Sequence, residues 1–353
     1  MSTRNKGEGQ SGQEIKLNAP RLEISGGAGI IASSLGGGNS NDIKIEADAI
    51  VLNGSNTFVD RNNKSTTLTS GILTSVGIAN LPAAGSGRLI QENTVFGASP
   101  TTGVINTTLQ PLTSPGQSSA SARGNSGNIS LRVDRLDITD GAQLITAILG
   151  EGKAGNVTVE SSGNIRLAGQ AGIRADSGSG QGGSIELVNP QGVLFLRGNS
   201  KISAFSRRVG QDGNITINTG FLVSAPSPVN GTPTGDNILN QGNDIFAISL
   251  DNLLKGGRSL GNNVKLTAQG VLGFKYQTQP TAGDDILATG NVTLNLPDID
   301  PSRGLTVLPT GPIDVSQKSI APATPTATTA APSSPEATAA CPPIPPIQRP
   351  PTA

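Results

Sequence analysis

The chain has 353 residues, with 25 basic and 25 acidic side chains and no histidine. A net charge of zero gives no electrostatic footprint for nucleic acid or an anionic membrane, and the lack of histidine removes the commonest acid–base residue and metal ligand. The single cysteine, Cys341, excludes an internal disulfide framework and a cysteine-based zinc site. The sequence has no apolar run of transmembrane length, and no signal peptide is visible after Met1.

A repeat of about 28 residues is the main feature of the sequence. Near the start, Ile15 and Ile43 are 28 residues apart, and the same apolar position recurs through the chain. A second motif, Gly-x-x-x-Ile-x-Ala, occurs at 26–32, 141–147, 169–175 and 198–204, in apparent phase with the first. The clearest strand openers are Ile129, Val157, Ile185 and Ile215, with steps of 28, 28 and 30 residues.

Each repeat contains three short runs in which apolar residues are two positions apart, separated by Gly, Asn, Ser and Asp. This alternation is typical of half-buried strands, and the separating residues suit turns. A single unit of three strands cannot bury its apolar face, but stacked units can. The sequence therefore predicts an all-β, right-handed parallel β-helix with three strands per coil, since parallel crossovers are normally right-handed.

The regularity of the repeat predicts how the chain is divided. The most irregular part of the ordered region contains Pro226, Pro228 and Pro233, and the last segment is rich in Pro, Ala and Thr, a composition that favours disorder. We predict β-helix coils at 1–54, a coil or two with loop insertions at 55–125, regular coils at 126–225, an irregular excursion at 226–262, the last coils and a closing segment at 263–316, and a disordered tail at 317–353.

Glycine and asparagine motifs recur in phase with the repeat. Gly-x-Gly-x-x-Gly begins at residues 7, 150 and 178, but each copy precedes a strand, whereas a dinucleotide site needs a following helix. We interpret these copies as turns between coils. Asparagines stand just before the strand openers and should form a hydrogen-bonded ladder, although four of them also fit the N-glycosylation pattern. The ladder positions are Asn128, Asn156, Asn214, Asn263 and Asn291, and all but Asn263 fit that pattern.

The remaining motifs favour structural interpretations over chemical ones. The densest carboxylates, Asp284/Asp285 and Asp298/Asp300 near Arg303, lie in loop-like sequence and are expected to be solvated. Residues 36–42 faintly resemble a calcium-binding glycine repeat, but such sites need stacked copies. The run Pro342–Pro346 fits a PxxP ligand or a stiff linker. Cys341 beside it is an unpaired thiol or, in a secreted protein, a partner for an intermolecular disulfide.

Three stretches resemble the filamentous-haemagglutinin-like exoproteins of two-partner secretion, and most closely the large branch of that family that is common in cyanobacteria. They are the Gly-Asn-Ile-x-Leu repeat over 126–217, NVKLTAQGVLG at 263–273, and LPDIDPSRGL at 296–305 with the residues that follow it. The last stretch is similar to the closing segment of that family. The resemblance implies a β-helix exported through an outer-membrane β-barrel transporter, with a role in adhesion, aggregation or cell-surface structure.

The expected function is therefore a non-catalytic structural or adhesive segment of a large extracellular or cell-surface protein, with no catalytic residue, cofactor or metal, and with a surface glycan or protein as ligand. The alternative is a carbohydrate-active β-helix enzyme, which would need three or more charged side chains converging in a groove. Because the sequence enters mid-repeat without a secretion domain, we interpret it as the C-terminal part of a longer exoprotein or as the product of a split gene. This interpretation predicts end-to-end association or aggregation, with the fastest amide exchange of all the coils at 1–54.

Overall fold

The computed structural model describes only part of the chain. Every described residue lies within the compact unit that spans Met1–Ile299, so the expected tail at 317–353 lies outside the described part. The described residues are 2–5, 14–34, 37–59, 63, 65–77, 90–94, 107–111, 123–148, 150–178, 181–206, 213–225, 242–249, 252, 261–278, 281 and 283–297.

Two long parallel sheets face each other across one apolar core. The ten-stranded sheet contains β2 (Ile15–Ser25), β4 (Ile43–Asn53), β10 (Ile129–Thr139), β12 (Val157–Ser161), β13 (Ile165–Ala168), β15 (Ile185–Arg197), β17 (Ile215–Ala225), β19 (Val264–Thr267), β20 (Gly270–Leu272) and β23 (Val292–Asn295). The nine-stranded sheet contains β1 (Ser2–Asn5), β3 (Gly29–Ser34), β7 (Gly71–Val76), β11 (Gln143–Ile148), β14 (Gly172–Ser177), β16 (Lys201–Ser206), β18 (Asp244–Ser249), β21 (Lys275–Tyr276) and β22 (Asp285–Ala288).

The chain alternates between the two sheets, and every pairing within them is parallel, as a β-helix requires. The three predicted runs per coil are present, but the first two form one long strand in five coils and are separate strands in coils four and seven. We number the coils by their strands: one (β2, β3), two (β4, β7), three (β10, β11), four (β12 to β14), five (β15, β16), six (β17, β18), seven (β19, β20, β22), with β23 beginning coil eight.

The predicted column of strand openers is confirmed. Ile129 pairs with Val157, Val157 with Ile185 and Ile185 with Ile215, each in the neighbouring coil. Parallel strands lie about 4.8 Å apart, so the four side chains form a continuous stack in the core. The column extends in both directions to Ile15, Ile43, Val264 and Val292, which gives eight coils in register.

The second predicted motif is out of register in one of its four copies. The motif predicts that Ile145 is equivalent to Ile173. In the structure, Leu144 pairs with Ile173 and Ile145 pairs with Arg174. A shift of one residue moves a side chain to the opposite face of a strand, so Ile145 points away from the main core. It packs instead with Leu73 and Ala147 in a smaller cluster.

The strand pairings show what two of the predicted segments, 55–125 and 226–262, contain. No complete coil separates coils two and three, because β4 pairs directly with β10. The described residues between them are β7, which completes coil two, and two antiparallel hairpins, β5–β6 (Ser55–Val59, Ser65–Thr69) and β8–β9 (Ile90–Thr94, Thr107–Pro111). The excursion at 226–262 contains the regular strand β18, which pairs with β16 and β22.

Candidate functional site

A ladder of side-chain oxygens runs along the corner where the chain enters the ten-stranded sheet, as the sequence predicts. The Oδ1 of Asn128 accepts the backbone N–H of Asn156 at 2.9 Å, and the Oδ1 of Asn156 accepts the N–H of Ser184 at 2.9 Å. The pattern continues from Asn214 to Asn263 at 3.0 Å. These oxygens hold successive coils together, which gives the asparagines a structural role at the positions that match the glycosylation pattern.

The glycines that directly precede the ladder asparagines lie where neighbouring coils come into close contact. A Cβ on Gly155 would lie 1.9 Å from the carbonyl oxygen of Gly127, and a Cβ on Gly183 would lie 1.9 Å from that of Gly155. The coils therefore touch backbone to backbone at this corner, and no side chain fits between them. Gly152 and Gly155 belong to one Gly-x-Gly-x-x-Gly copy, and strand β12 follows it, so the interpretation as a turn holds.

A charged groove lies on the outward face of the ten-stranded sheet, where the long strands bend. Its volume is about 420 Å³, within the usual range for ligand sites. Coils one, two and three each contribute three consecutive residues to the groove. The lining residues are Asn18, Ala19, Pro20, Glu46, Ala47, Asp48, Arg132, Val133 and Asp134.

Three of the four charged groups that line the groove have polar partners. Arg132 donates two hydrogen bonds to Glu160, at 3.0 and 3.1 Å, and Ser162 donates to Asp134 at 2.7 Å. Glu46 lies 3.6 Å from the ammonium of Lys44. The array offers exposed carboxylate and guanidinium groups that suit hydrogen bonding to hydroxyl-rich or polar ligands.

This groove was missed by sequence analysis because its residues are far apart in the chain. Glu46 and Arg132 are neighbours only because β4 pairs with β10, and 86 residues separate them. The register of the two strand openers, Ile43 and Ile129, was the signal that could have found the groove, since Glu46 and Arg132 each stand three residues after their opener.

A second charged cluster is buried between coils five, six and seven. Lys201 donates to the carbonyl of Gly242 at 2.7 Å and forms an ion pair with Asp244. The other carboxylate oxygen of Asp244 accepts the backbone N–H of Asp285 at 3.1 Å. Burial raises the pKa of Asp244 from 3.8 to about 7, against the opposing effect of Lys201. Burial also raises the pKa of Asp285, against two hydrogen bonds from Thr281.

The carboxylates that the sequence placed in solvated turns are therefore part of this cluster. Asp285 is only 3% exposed, and Asp284 accepts hydrogen bonds from Ser224 at 2.6 Å and from the backbone of Asn243 at 2.7 Å. The expectation of a solvated side chain is wrong for Asp285, which is buried at the start of β22, whereas Asp284 is half-buried and hydrogen-bonded. Because its polar groups bond to residues of neighbouring coils, the cluster is suited to joining coils.

The other predicted sites give a mixed outcome. Within the calcium-like stretch, Asn39 and Asp42 each use Oδ1 to accept a backbone N–H from coil three, at 2.7 and 2.6 Å. Among the described residues, no three His, Cys, Asp or Glu side chains converge to hold a metal ion. Asp298, Asp300, Arg303, Cys341 and the PxxP run lie outside the described residues.

An apolar patch covers the outward face of the ten-stranded sheet at coils five to seven. Register places Phe221 beside Val193, and Val223 between Phe195 and Leu272. Phe221 is 42% exposed and Leu272 is 58% exposed. Exposed apolar patches of this kind are typical of contact surfaces.

No protein family, curated protein or solved structure was found to match this chain. The described residues include no helix with the length and hydropathy needed to cross a membrane.

Proposed function

We propose that this chain is a non-catalytic structural and adhesive segment of a large secreted surface protein, of the filamentous-haemagglutinin-like type. The observation that carries the proposal is the continuous register of eight coils around one core. The polar groups of the chain at the asparagine corner and in the buried cluster form contacts between coils. A uniform stack of this kind provides an extended scaffold with long lateral faces.

The proposal includes export through an outer-membrane β-barrel transporter and a final location at the cell surface or outside the cell. Antibodies raised against the chain should label intact source cells as strongly as permeabilised cells. Labelling should disappear from the surface of cells that lack the transporter. Labelling restricted to permeabilised cells would contradict a surface location.

The adhesive part of the proposal places ligand binding in the charged groove. A surface glycan or a polar protein segment fits its exposed carboxylates and guanidinium. Cells that lack the protein should aggregate or attach less, and wild-type protein should restore attachment. Protein with Glu46→Gln and Arg132→Gln should restore it less well, whereas Lys16→Gln, which changes an exposed charge on the same sheet outside the groove, should restore it fully.

A carbohydrate-active enzyme remains the second candidate, because four charged side chains meet in that groove: Glu46, Asp48, Arg132 and Asp134. A β-helix hydrolase or lyase would use such groups as acid and base. Incubation with a panel of neutral and acidic polysaccharides distinguishes the two proposals. New reducing ends that depend on Asp48 or Asp134 would establish catalysis, whereas binding without cleavage supports the adhesive role.

A further inference from the structure

The two ends of the coil stack, as far as the structure describes them, finish on different sheets. At the first end, β1 extends the nine-stranded sheet beyond coil one, and β2 is the edge of the ten-stranded sheet. At the last end, β23 extends the ten-stranded sheet into coil eight, and no described strand of the nine-stranded sheet follows it. Within the described residues, the first end thus carries an extra strand of the nine-stranded sheet and the last end an extra strand of the ten-stranded sheet.

Core positions are also uncovered at both ends. Leu17 and Leu22 in coil one are half-buried, whereas the equivalent Leu131 and Leu136 in coil three are fully buried. At the other end, Leu294 is 41% exposed, although its neighbour Leu266 in coil seven is completely buried. Each end therefore exposes apolar side chains that the next coil would cover.

We propose that a second copy of this chain docks head to tail at these ends, so that β23 of one copy and β1 of the next complete a single coil. This inference concerns the 353-residue chain by itself and does not rest on the proposed secretion or adhesion. The parallel register puts Val292 opposite Ile15 of the next copy and Leu294 opposite Leu17, in the same two columns that run through the stack. Both exposed leucines become buried in the joined core.

The short strand β21 leaves room for this junction. It pairs with Asp285 and Ile286 at the beginning of β22. By the register of the nine-stranded sheet, β1 of the next copy, which pairs with Ile31 to Ser34 in its own chain, falls opposite Leu287 and the residues after it. The two strands therefore occupy different parts of the same edge and do not compete.

The hydrogen bonds of the asparagine corner extend across the junction. In each coil, the N–H of the strand opener donates to the carbonyl before the next opener, as Val264 does to Asn291 at 2.9 Å. At the junction, Val292 donates in the same way to the carbonyl of Glu14 in the next copy. The Oδ1 of Asn291, which has no donor among the described residues, accepts the N–H of that Glu14.

This contact joins two different surfaces, so it propagates into open filaments and not closed dimers. The purified full chain should show concentration-dependent association in sedimentation velocity, with filaments of variable length in electron micrographs. Leu17→Lys and Leu294→Lys should each remove all species larger than a monomer, because a charge would be buried in the joined core. Val59→Lys, at a position that is 62% exposed, should associate like wild type.

Mixing the two end variants gives the sharpest result. Leu17→Lys retains an intact last end and Leu294→Lys retains an intact first end, so their mixture should form dimers and nothing larger. Circular dichroism and cooperative unfolding establish that each variant is folded. A wild-type chain that remains a monomer at all concentrations overturns the proposal, as does association that neither end variant reduces, which would point to side-by-side contact through the apolar patch.

Discussion

The two sheets of this β-helix differ in what lies on their outward faces. In the first half of β10, on the ten-stranded sheet, buried residues alternate with more exposed ones, whereas all six residues of β11 in the nine-stranded sheet are buried. The ion pairs follow the same division: Arg132 and Glu160 are exposed, but Arg174 and Asp176 are 7% and 4% exposed. Substitutions at comparable outward positions of the two sheets are therefore expected to change the free energy of unfolding by very different amounts.

The largest effect should come from the buried ion pair of the nine-stranded sheet. Arg174→Met leaves the Asp176 carboxylate buried without its partner, and the free energy of unfolding should fall by about 3–5 kcal/mol. Arg132→Met removes an exposed partner on the ten-stranded sheet and should remain within about 1 kcal/mol of wild type. Urea denaturation measures both. Equal losses of unfolding free energy in the two variants would contradict the expected energetic difference between the sheets.

A double variant tests the origin of that loss. Arg174→Met combined with Asp176→Leu replaces the whole pair by apolar side chains, which is often neutral or stabilising. We expect most of the lost stability to return. If the double variant is as unstable as Arg174→Met alone, the stability comes from the packing of the arginine and not from charge compensation.

Truncating an outward apolar residue should also cost more stability in the nine-stranded sheet than in the ten-stranded sheet, but the difference should be smaller. Ile145→Ala creates a cavity at a fully buried position of the nine-stranded sheet and should lower the free energy of unfolding by about 2–4 kcal/mol. Val51→Ala changes a half-buried outward position of the ten-stranded sheet, and its cost should stay below about 1 kcal/mol. A cost for Ile145→Ala as small as that of Val51→Ala would mean that the outward face is not closely packed.

The buried cluster at coils five to seven makes stability depend on pH. The pKa of Asp244 is about 7 in the folded chain and 3.8 for the free side chain, so between these values the folded state binds more protons than the unfolded state. Its contribution to stability is therefore complete below pH 4 and is lost as the pH rises through 7. Asp285, whose pKa is also raised, adds to the same trend.

Comparison of variants isolates this effect from other titrations. The urea midpoint of Asp244→Asn should rise relative to that of wild type as the pH rises from 5 to 8, because asparagine does not titrate. Asp48→Asn, at an exposed position in the groove, should show no such change with pH. The charged groups that face Asp244 are Lys201 and Asp285, and Asp284 acts on Asp285. A constant difference between Asp244→Asn and wild type at every pH would contradict the raised pKa.

The smallest effect is expected at the corner between the sheets. Asn156→Ala removes one acceptor for the Ser184 N–H and should cost about 1 kcal/mol, because water replaces the oxygen at this exposed corner. Asn156→Asp keeps an oxygen at the same position and should restore most of the stability. Similar losses in both variants would show that the amide nitrogen, and not the oxygen, is needed.

The same contrast explains how much of the structure could be predicted from sequence. Alternation identified the strands of the ten-stranded sheet, because most of its outward positions are polar outside the apolar patch, and the predicted column from Ile129 to Ile215 is confirmed. In β11, Leu144 and Ile145 are adjacent and both fully buried, so alternation cannot tell which of them faces the main core. The off-register alignment of residues 141–147 follows from that ambiguity.

The candidate site was harder to predict, since it depends on which coils are neighbours. Coils two and three are separated by a long insertion, so Glu46 and Arg132 showed no local pattern. The cluster around Asp244 was missed because Pro226, Pro228 and Pro233 indicated an irregular segment, and strand β18 was not expected after them. Long-range pairing, and not residue type, determined both sites.

The direction of the hydrogen bonds between coils has a mechanical consequence. Bonds such as Ile129 N–H to the Asn156 carbonyl, at 2.9 Å, point from one coil to the next, along the direction of stacking. Tension applied to the two ends acts along all the bonds of a layer together, so they must rupture at once. A sideways force at an edge strand such as β23 breaks them one after another. The stack should therefore resist stretching and yield to peeling from its ends.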